Sequence, residues 1–170
     1  MTSMPEPPSG IAVGVADEHA LARLAAVVAA TLPPHAFVAL DGELGAGKTT
    51  FVKALATAWD IDPTAVVSPT FGLIHVHEGP RDRLVHADFY RLAMPDELRE
   101  TGWEDAIAGE PGRGCRVFVE WPGRIAALLP ADRLDVAITI DSETGRTLSF
   151  AAHSPAYAPL MRALEARPRV

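Results

Sequence analysis

A chain of 170 residues, 48% of them hydrophobic, is long enough for one domain with a substantial core and short for two. Its formal charge of −7 argues against a protein that grips nucleic acid by itself, since such binding starts from a basic surface; any nucleic-acid role is delegated to a partner. The longest apolar run, residues 24 to 32, falls well short of the roughly eighteen residues that span a bilayer. Cys115 has no second cysteine to pair with, and the first ten residues lack a signal peptide's basic start and apolar middle, so the expectation is a cytoplasmic protein with no membrane contact.

In chain order, residues 1–12 read as a loose Pro-rich tail and 13–170 as one domain. "IAVGVA" is a first strand. From Asp17, a capping residue, the chain reads as a helix with Leu21, Leu24, Val28 and Leu32 on one face, ended by Pro33-Pro34. "AFVAL", 36–40, has the continuous apolar character of a strand buried on both faces, and beyond a glycine-rich turn Phe51, Leu55 and Trp59 recur at helical spacing as core residues. "LIHVH" (73–77) and "RLVHA" (83–87) flank "EGPRD" as a hairpin that sets His75 opposite His86. A short helix covers "PDELRET"; "CRVFVEW" (115–121) is a second buried strand; a helix runs from Pro122 toward Pro130. "RLDVAITI" alternates as a strand with one wet face, pairs across "DSETG" with "RTLSFAA", and a last helix spans about 157–167. The fold class is α/β: a P-loop NTPase-like mixed sheet flanked by helices, with antiparallel hairpins.

The sharpest signal is "GELGAGKT", Gly42 to Thr49, which fits G-x-x-x-x-G-K-[ST] in full and sits between a buried strand and an amphipathic helix. A triphosphate needs several backbone N–H donors aimed at it, and glycine lets the chain curl that tightly. The expected ATP-binding residues are therefore Glu43, Gly45, Ala46, Gly47, Lys48, Thr49 and Thr50. Lys48 reaches the β- and γ-phosphates, and the Thr49 hydroxyl takes Mg²⁺. Phosphoryl chemistry also needs a carboxylate near the metal, best held at the end of a buried strand. Asp88, ending "LVHAD", and Glu120, ending "VFVE", both qualify as catalytic and metal-binding acids, and Trp121 packs beside a bound nucleotide.

The chain contains no asparagine and no glutamine, so the Asn-Lys-x-Asp guanine loop and a water-positioning glutamine are both absent, which favours ATP over GTP. His75, His77 and His86 crowd the proposed hairpin, but no acidic or cysteine ligand at a fixed spacing completes a metal site, and satisfied or exposed histidines are the preferred reading. A small-molecule kinase using the same loop is the alternative function; Arg81, Arg83, Arg91 and Arg99 suit a closing lid, but no acceptor motif accompanies them. A nucleotide-binding switch without meaningful turnover is a third.

Taken together, "GELGAGKTTFVKAL", "SPTF", "HADFYRL" (86–92), "DEL…TGWED" (96–105) and "VEWPGRI" (119–125) resemble, in order and spacing, the TsaE (YjeE) family of small bacterial ATPases, over about residues 15 to 153. The resemblance implies an accessory ATPase for threonylcarbamoyladenosine modification of tRNA that works with TsaB and TsaD to permit repeated turnover and meets tRNA only through that complex. It also implies a switch-like segment near the γ-phosphate at Ser68, Pro69 and Thr70, with Thr70 a catalytic-site sensor and Ser68 a nucleotide contact. The family's His-x-Asp-x-Tyr-Arg motif falls on His86, Asp88, Tyr90 and Arg91, and its Glu-Trp pair on Glu120 and Trp121.

Overall fold

The computed structural model describes residues 10–67 and 73–168; Ser68, Pro69 and Thr70 lie outside them. The chain alternates strands and helices as β1 (Ile11–Val15), α1 (Glu18–Thr31), β2 (His35–Asp41), α2 (Lys48–Ala58), β3 (Ile74–Glu78), β4 (Asp82–Asp88), α3 (Trp103–Ala108), β5 (Gly114–Glu120), β6 (Leu134–Ile140), β7 (Arg146–Ala152) and α4 (Ala158–Glu165). One seven-stranded sheet runs in the order β1-β7-β6-β2-β5-β4-β3. Four adjacent strands, β6, β2, β5 and β4, are mutually parallel. Antiparallel pairs close both edges, β6 with β7 and β7 with β1 on one side, β4 with β3 on the other. Among the described residues no helix is long and apolar enough to cross a membrane.

Local chemistry accounts for the elements. The Asp17 carboxylate accepts a hydrogen bond from Ala20 N at 2.8 Å, satisfying one of the orphan donors at the start of α1. Leu21, Leu24 and Val28 then fall on the buried face and pack against Phe51 and Leu55 of α2, and against Phe118, Leu134, Val136 and Phe150 of the sheet. A second core covers the opposite face, where Val85, Ala87, Val117 and Val119 meet Phe89, Leu92, Leu98, Ile125 and Trp103. Trp103 packs edge-on against both Phe37 (6.2 Å between centroids) and Phe89 (5.4 Å). With both faces covered, β2 and β5 read as continuous apolar runs because they are buried on both sides.

Several expectations change in detail. β1 begins at Ile11, where the predicted strand "IAVGVA" begins; Ile11 pairs with Phe150 and packs against the core. The β3–β4 turn is tighter than "EGPRD", but its register places His75 opposite His86 as the spacing predicts. Residues 122–128 form a 3₁₀ segment broken at Ile125 (φ −125°, ψ 29°) rather than a regular helix. "RLDVAITI" keeps its predicted wet face, with Ala137 and Thr139 exposed, and its pairing with β7, and adds β2 as a second neighbour. Helix α3 has no forecast counterpart; two turns built on a single apolar anchor, Trp103, carry too short a period to register. Trp59 is half-buried: its indole N–H donates to Ala29 O at 3.2 Å and its ring carries the Arg116 guanidinium at 4.5 Å.

Candidate functional site

The glycine-rich loop leaves the C-terminal end of β2, the strand at the sheet's centre, and runs directly into the N-terminus of α2. Two glycines make the turn possible. Gly47 precedes the helix at φ 101°, a conformation side chains resist, and a Cβ on Gly42 would stand 2.7 Å from Ile138 O. The resulting cradle points the unpaired N–H groups of the first turn of α2 outward, where they favour an anion.

Lys48 is folded back over this loop. Its Nζ donates to Gly42 O at 2.6 Å and to Glu43 O at 3.0 Å and sits 4.5 Å from the centre of the Trp121 ring. The side chain is 95% withdrawn from solvent, and burial pushes its ammonium below the ordinary lysine value against the opposing pull of Glu120, Asp88, Asp41 and Glu43. The opening above it has a volume near 430 Å³ and is lined by Lys48, Thr49, Asp88, Tyr90, Glu120 and Trp121 among others.

The two acids enter this space from adjacent parallel strands, β4 and β5, whose register sets Asp88 directly beside Glu120. Glu120 is buried, and its Oε1 accepts from Thr49 Oγ1 at 2.7 Å and lies 2.8 Å from His86 Nε2. Asp88 Oδ1 accepts from Tyr90 N at 3.0 Å, which turns the chain and brings the Tyr90 ring to 4.9 Å from Trp121. Trp121 follows Glu120 in a left-handed conformation (φ 59°, ψ 51°), which costs a non-glycine residue about 1–2 kcal/mol and swings its indole across Lys48.

The structure thus brings together Gly45, Gly47, Lys48, Thr49, Thr50, Asp88, Glu120 and Trp121. Glu43 contributes its carbonyl to Lys48, and Ala46 lies on the loop's other flank, in a second cavity of about 650 Å³ walled by Val15, Asp17, Leu21, Thr50 and Arg146. The proposed contacts of Ser68 and Thr70 fall outside the described residues. His75, His77 and His86 share a face, with the first two rings 6.1 Å apart. Among the described residues no three His, Cys, Asp or Glu side chains are grouped to hold a metal ion.

Arg146 was invisible to sequence reasoning. It stands at the start of β7, a hundred residues from the loop, yet its Nε donates to Ala46 O at 3.0 Å while Nη1 holds the turn carbonyls of Ser142 and Gly145 at 3.0 and 2.8 Å. The hairpin forecast located the strand, but nothing in the spacing showed that its first residue turns back onto the loop.

A phosphate-loop motif seated between β2 and α2, with a mixed sheet behind it, puts the chain in the P-loop NTPase-like class of α/β proteins. Sequence narrows the class to one family. The family model described as "Threonylcarbamoyl adenosine biosynthesis protein TsaE" matches residues 15–148, and the chain belongs to that family, which acts in tRNA threonylcarbamoyladenosine biosynthesis. Relatives named "tRNA threonylcarbamoyladenosine biosynthesis protein TsaE" include that of Bacillus subtilis (35% identity, 83% of this chain and 85% of the relative) and that of Treponema pallidum (35%, 76% and 92%). The crystal structure of Bacillus subtilis YdiB has a similar fold, with a TM-score of 0.69 at 26% identity over 92% of this chain and 95% of that one.

Proposed function

We propose that this protein binds and hydrolyses ATP with Mg²⁺ as an accessory factor in tRNA threonylcarbamoyladenosine formation, acting with TsaB and TsaD. The observation that carries the reading is the 2.7 Å hydrogen bond from Thr49, the last residue of the glycine-rich motif, to the strand-end carboxylate of Glu120. A motif threonine bonded to a buried acid is the arrangement that Mg²⁺ coordination beside a triphosphate requires.

The residues present suit the group. The cradle at Gly47 is open to an anion, and Lys48, already beside it, needs only to exchange two carbonyl acceptors for phosphate oxygens. Thr49 and Glu120 would hold the metal, with Asp88 beside them; bound Mg²⁺ would supply charge neutralisation on the β- and γ-phosphates. The 430 Å³ opening, with its lysine and two acids, suits the phosphate tail, and the 650 Å³ cavity with Val15 and Leu21 suits the base and sugar. The register of Asp88 beside Glu120 supports the reading in which Asp88 orients the attacking water.

Among the described residues that line the 430 Å³ opening Arg91 is the one arginine, and the chain has no glutamine to orient water, so intrinsic turnover is slow and partner contact accelerates it. The net charge of −7 fits a protein whose tRNA platform belongs to the complex. Steady-state ATP hydrolysis, measured alone and with the TsaB–TsaD pair, tests this: stimulation is expected, and neither stimulation nor binding of the pair would overturn it.

A further inference from the structure

We propose that His86 is a positioning residue of this site, holding the Glu120 carboxylate through its Nε2–H so that the acid keeps its orientation toward Thr49. The inference rests on the nucleotide reading above and goes further by assigning the part that holds the acid still.

His86 and Glu120 are both buried, with 0% and 3% of their surface accessible, and they project from adjacent parallel strands toward the same face. In register His86 lies beside Phe118, one alternation behind Glu120, so its ring reaches forward along the sheet to the carboxylate at 2.8 Å. A buried carboxylate needs donors, and among the described residues Oε1 has the Thr49 hydroxyl and His86. These two are not equivalent. Thr49 stands at the first turn of α2, where the nucleotide and metal would draw on its hydroxyl, whereas His86 is enclosed in the sheet away from the opening.

The tautomer follows from burial. His86 Nδ1 is enclosed with no hydrogen-bond partner among the described residues, and a hydrogen placed there would be left without an acceptor. A hydrogen on Nε2 faces Glu120 Oε1 directly, so the ring donates from Nε2 and presents a lone pair at Nδ1. An imidazole that supports a metal-site carboxylate in this way is an outer partner of the site, a class of residue whose loss weakens metal binding or activity by roughly 10–100-fold. An ordinary core histidine would instead be replaceable by any apolar side chain of similar bulk.

The experiment compares wild type with His86→Leu, which keeps bulk and removes the donor, and His86→Gln, whose amide nitrogen can stand near Nε2. Calorimetric titration with ATP, with Mg²⁺ and then with EDTA, gives the Mg²⁺-dependent part of the affinity; steady-state hydrolysis gives kcat and KM. The leucine variant is expected to lose roughly 10-fold or more in the Mg²⁺-dependent part and in kcat, with EDTA-condition binding unchanged, and the glutamine variant to recover most of it. Long-range ¹H–¹⁵N correlation spectra of the nucleotide-free wild type are expected to show His86 protonated at Nε2 alone. A His86 protonated at Nδ1, a leucine variant matching wild type, or two variants that fall equally would each overturn the assignment while leaving the nucleotide reading intact. Failure of wild type to bind ATP at all would overturn the nucleotide reading and this one with it.

Discussion

Replacing Arg146 with methionine keeps the aliphatic stem and removes the guanidinium that ties the β6–β7 turn to the glycine-rich loop. Of its bonds to the loop, Nε to Ala46 O at 3.0 Å is well formed and Nη2 to Gly45 O at 3.4 Å is weak. The Ala46 carbonyl and the Gly47 N–H belong to one planar peptide and point in opposite directions, so holding the carbonyl back aims that N–H at the phosphate side. A hydrogen bond from a charged donor is worth about 1.5–3 kcal/mol, and the lower end applies because the side chain is only half-buried. If that energy is spent on keeping the loop in its binding conformation, its loss reduces the competent fraction and weakens ATP about 10-fold, at 1.4 kcal/mol per factor of ten. Calorimetric titration of the variant with ATP·Mg²⁺, alongside its thermal unfolding, measures this. An affinity within twofold of wild type, with an unfolding midpoint that has dropped, would show that Arg146 serves only the fold.

Three further outcomes follow from the site's electrostatics and rings. Burial holds Lys48 below its ordinary 10.5, so between its folded value and 10.5 the unfolded chain binds more protons and stability rises with pH; below that window the charged lysine carries its full penalty. Lys48→Met is therefore expected to abolish ATP binding and to remove that rise of stability with pH from a pH series of nucleotide-free unfolding midpoints. His75 and His77 are both pushed below 6.5 by burial first and by neighbouring histidines second, so stability is fully present above 6.5 and falls as pH drops through the folded values. The double change His75→Gln with His77→Gln should flatten that acid-side loss in a pH series of urea midpoints. Because Lys48 lies over the Trp121 ring, drawing the ammonium away onto phosphates should change Trp121 emission, and ATP titration of a Trp59→Phe/Trp103→Phe background reads it without interference.

Much of this was legible in the sequence, for identifiable reasons. β2 and β5 announced themselves as continuous apolar runs because both faces are covered, and the acids at their neighbouring strand ends were found because a strand that stops on a carboxylate breaks that run. Asp17 declared the start of α1 through its capping chemistry. The contacts that escaped were long-range. The Arg146–Ala46 bond spans a hundred residues, and the His86–Glu120 bond depends on β4 lying beside β5 in parallel register, which no local period encodes. The left-handed turn at Trp121 escaped for a different reason, since a bulky residue there runs against its own backbone preference, and its ring is met by Lys48 and Tyr90 from distant parts of the chain.

The most direct measurement of the account is multiple-turnover ATP hydrolysis by the protein with TsaB–TsaD, comparing wild type with Glu120→Gln. The substitution keeps size and an acceptor oxygen for Thr49 and His86 but removes the charge that the proposed Mg²⁺ site needs. The variant is expected still to bind ATP and to hydrolyse it at least about 100-fold more slowly, with partner stimulation lost. Hydrolysis at the wild-type rate would contradict the placement of the reaction at Glu120.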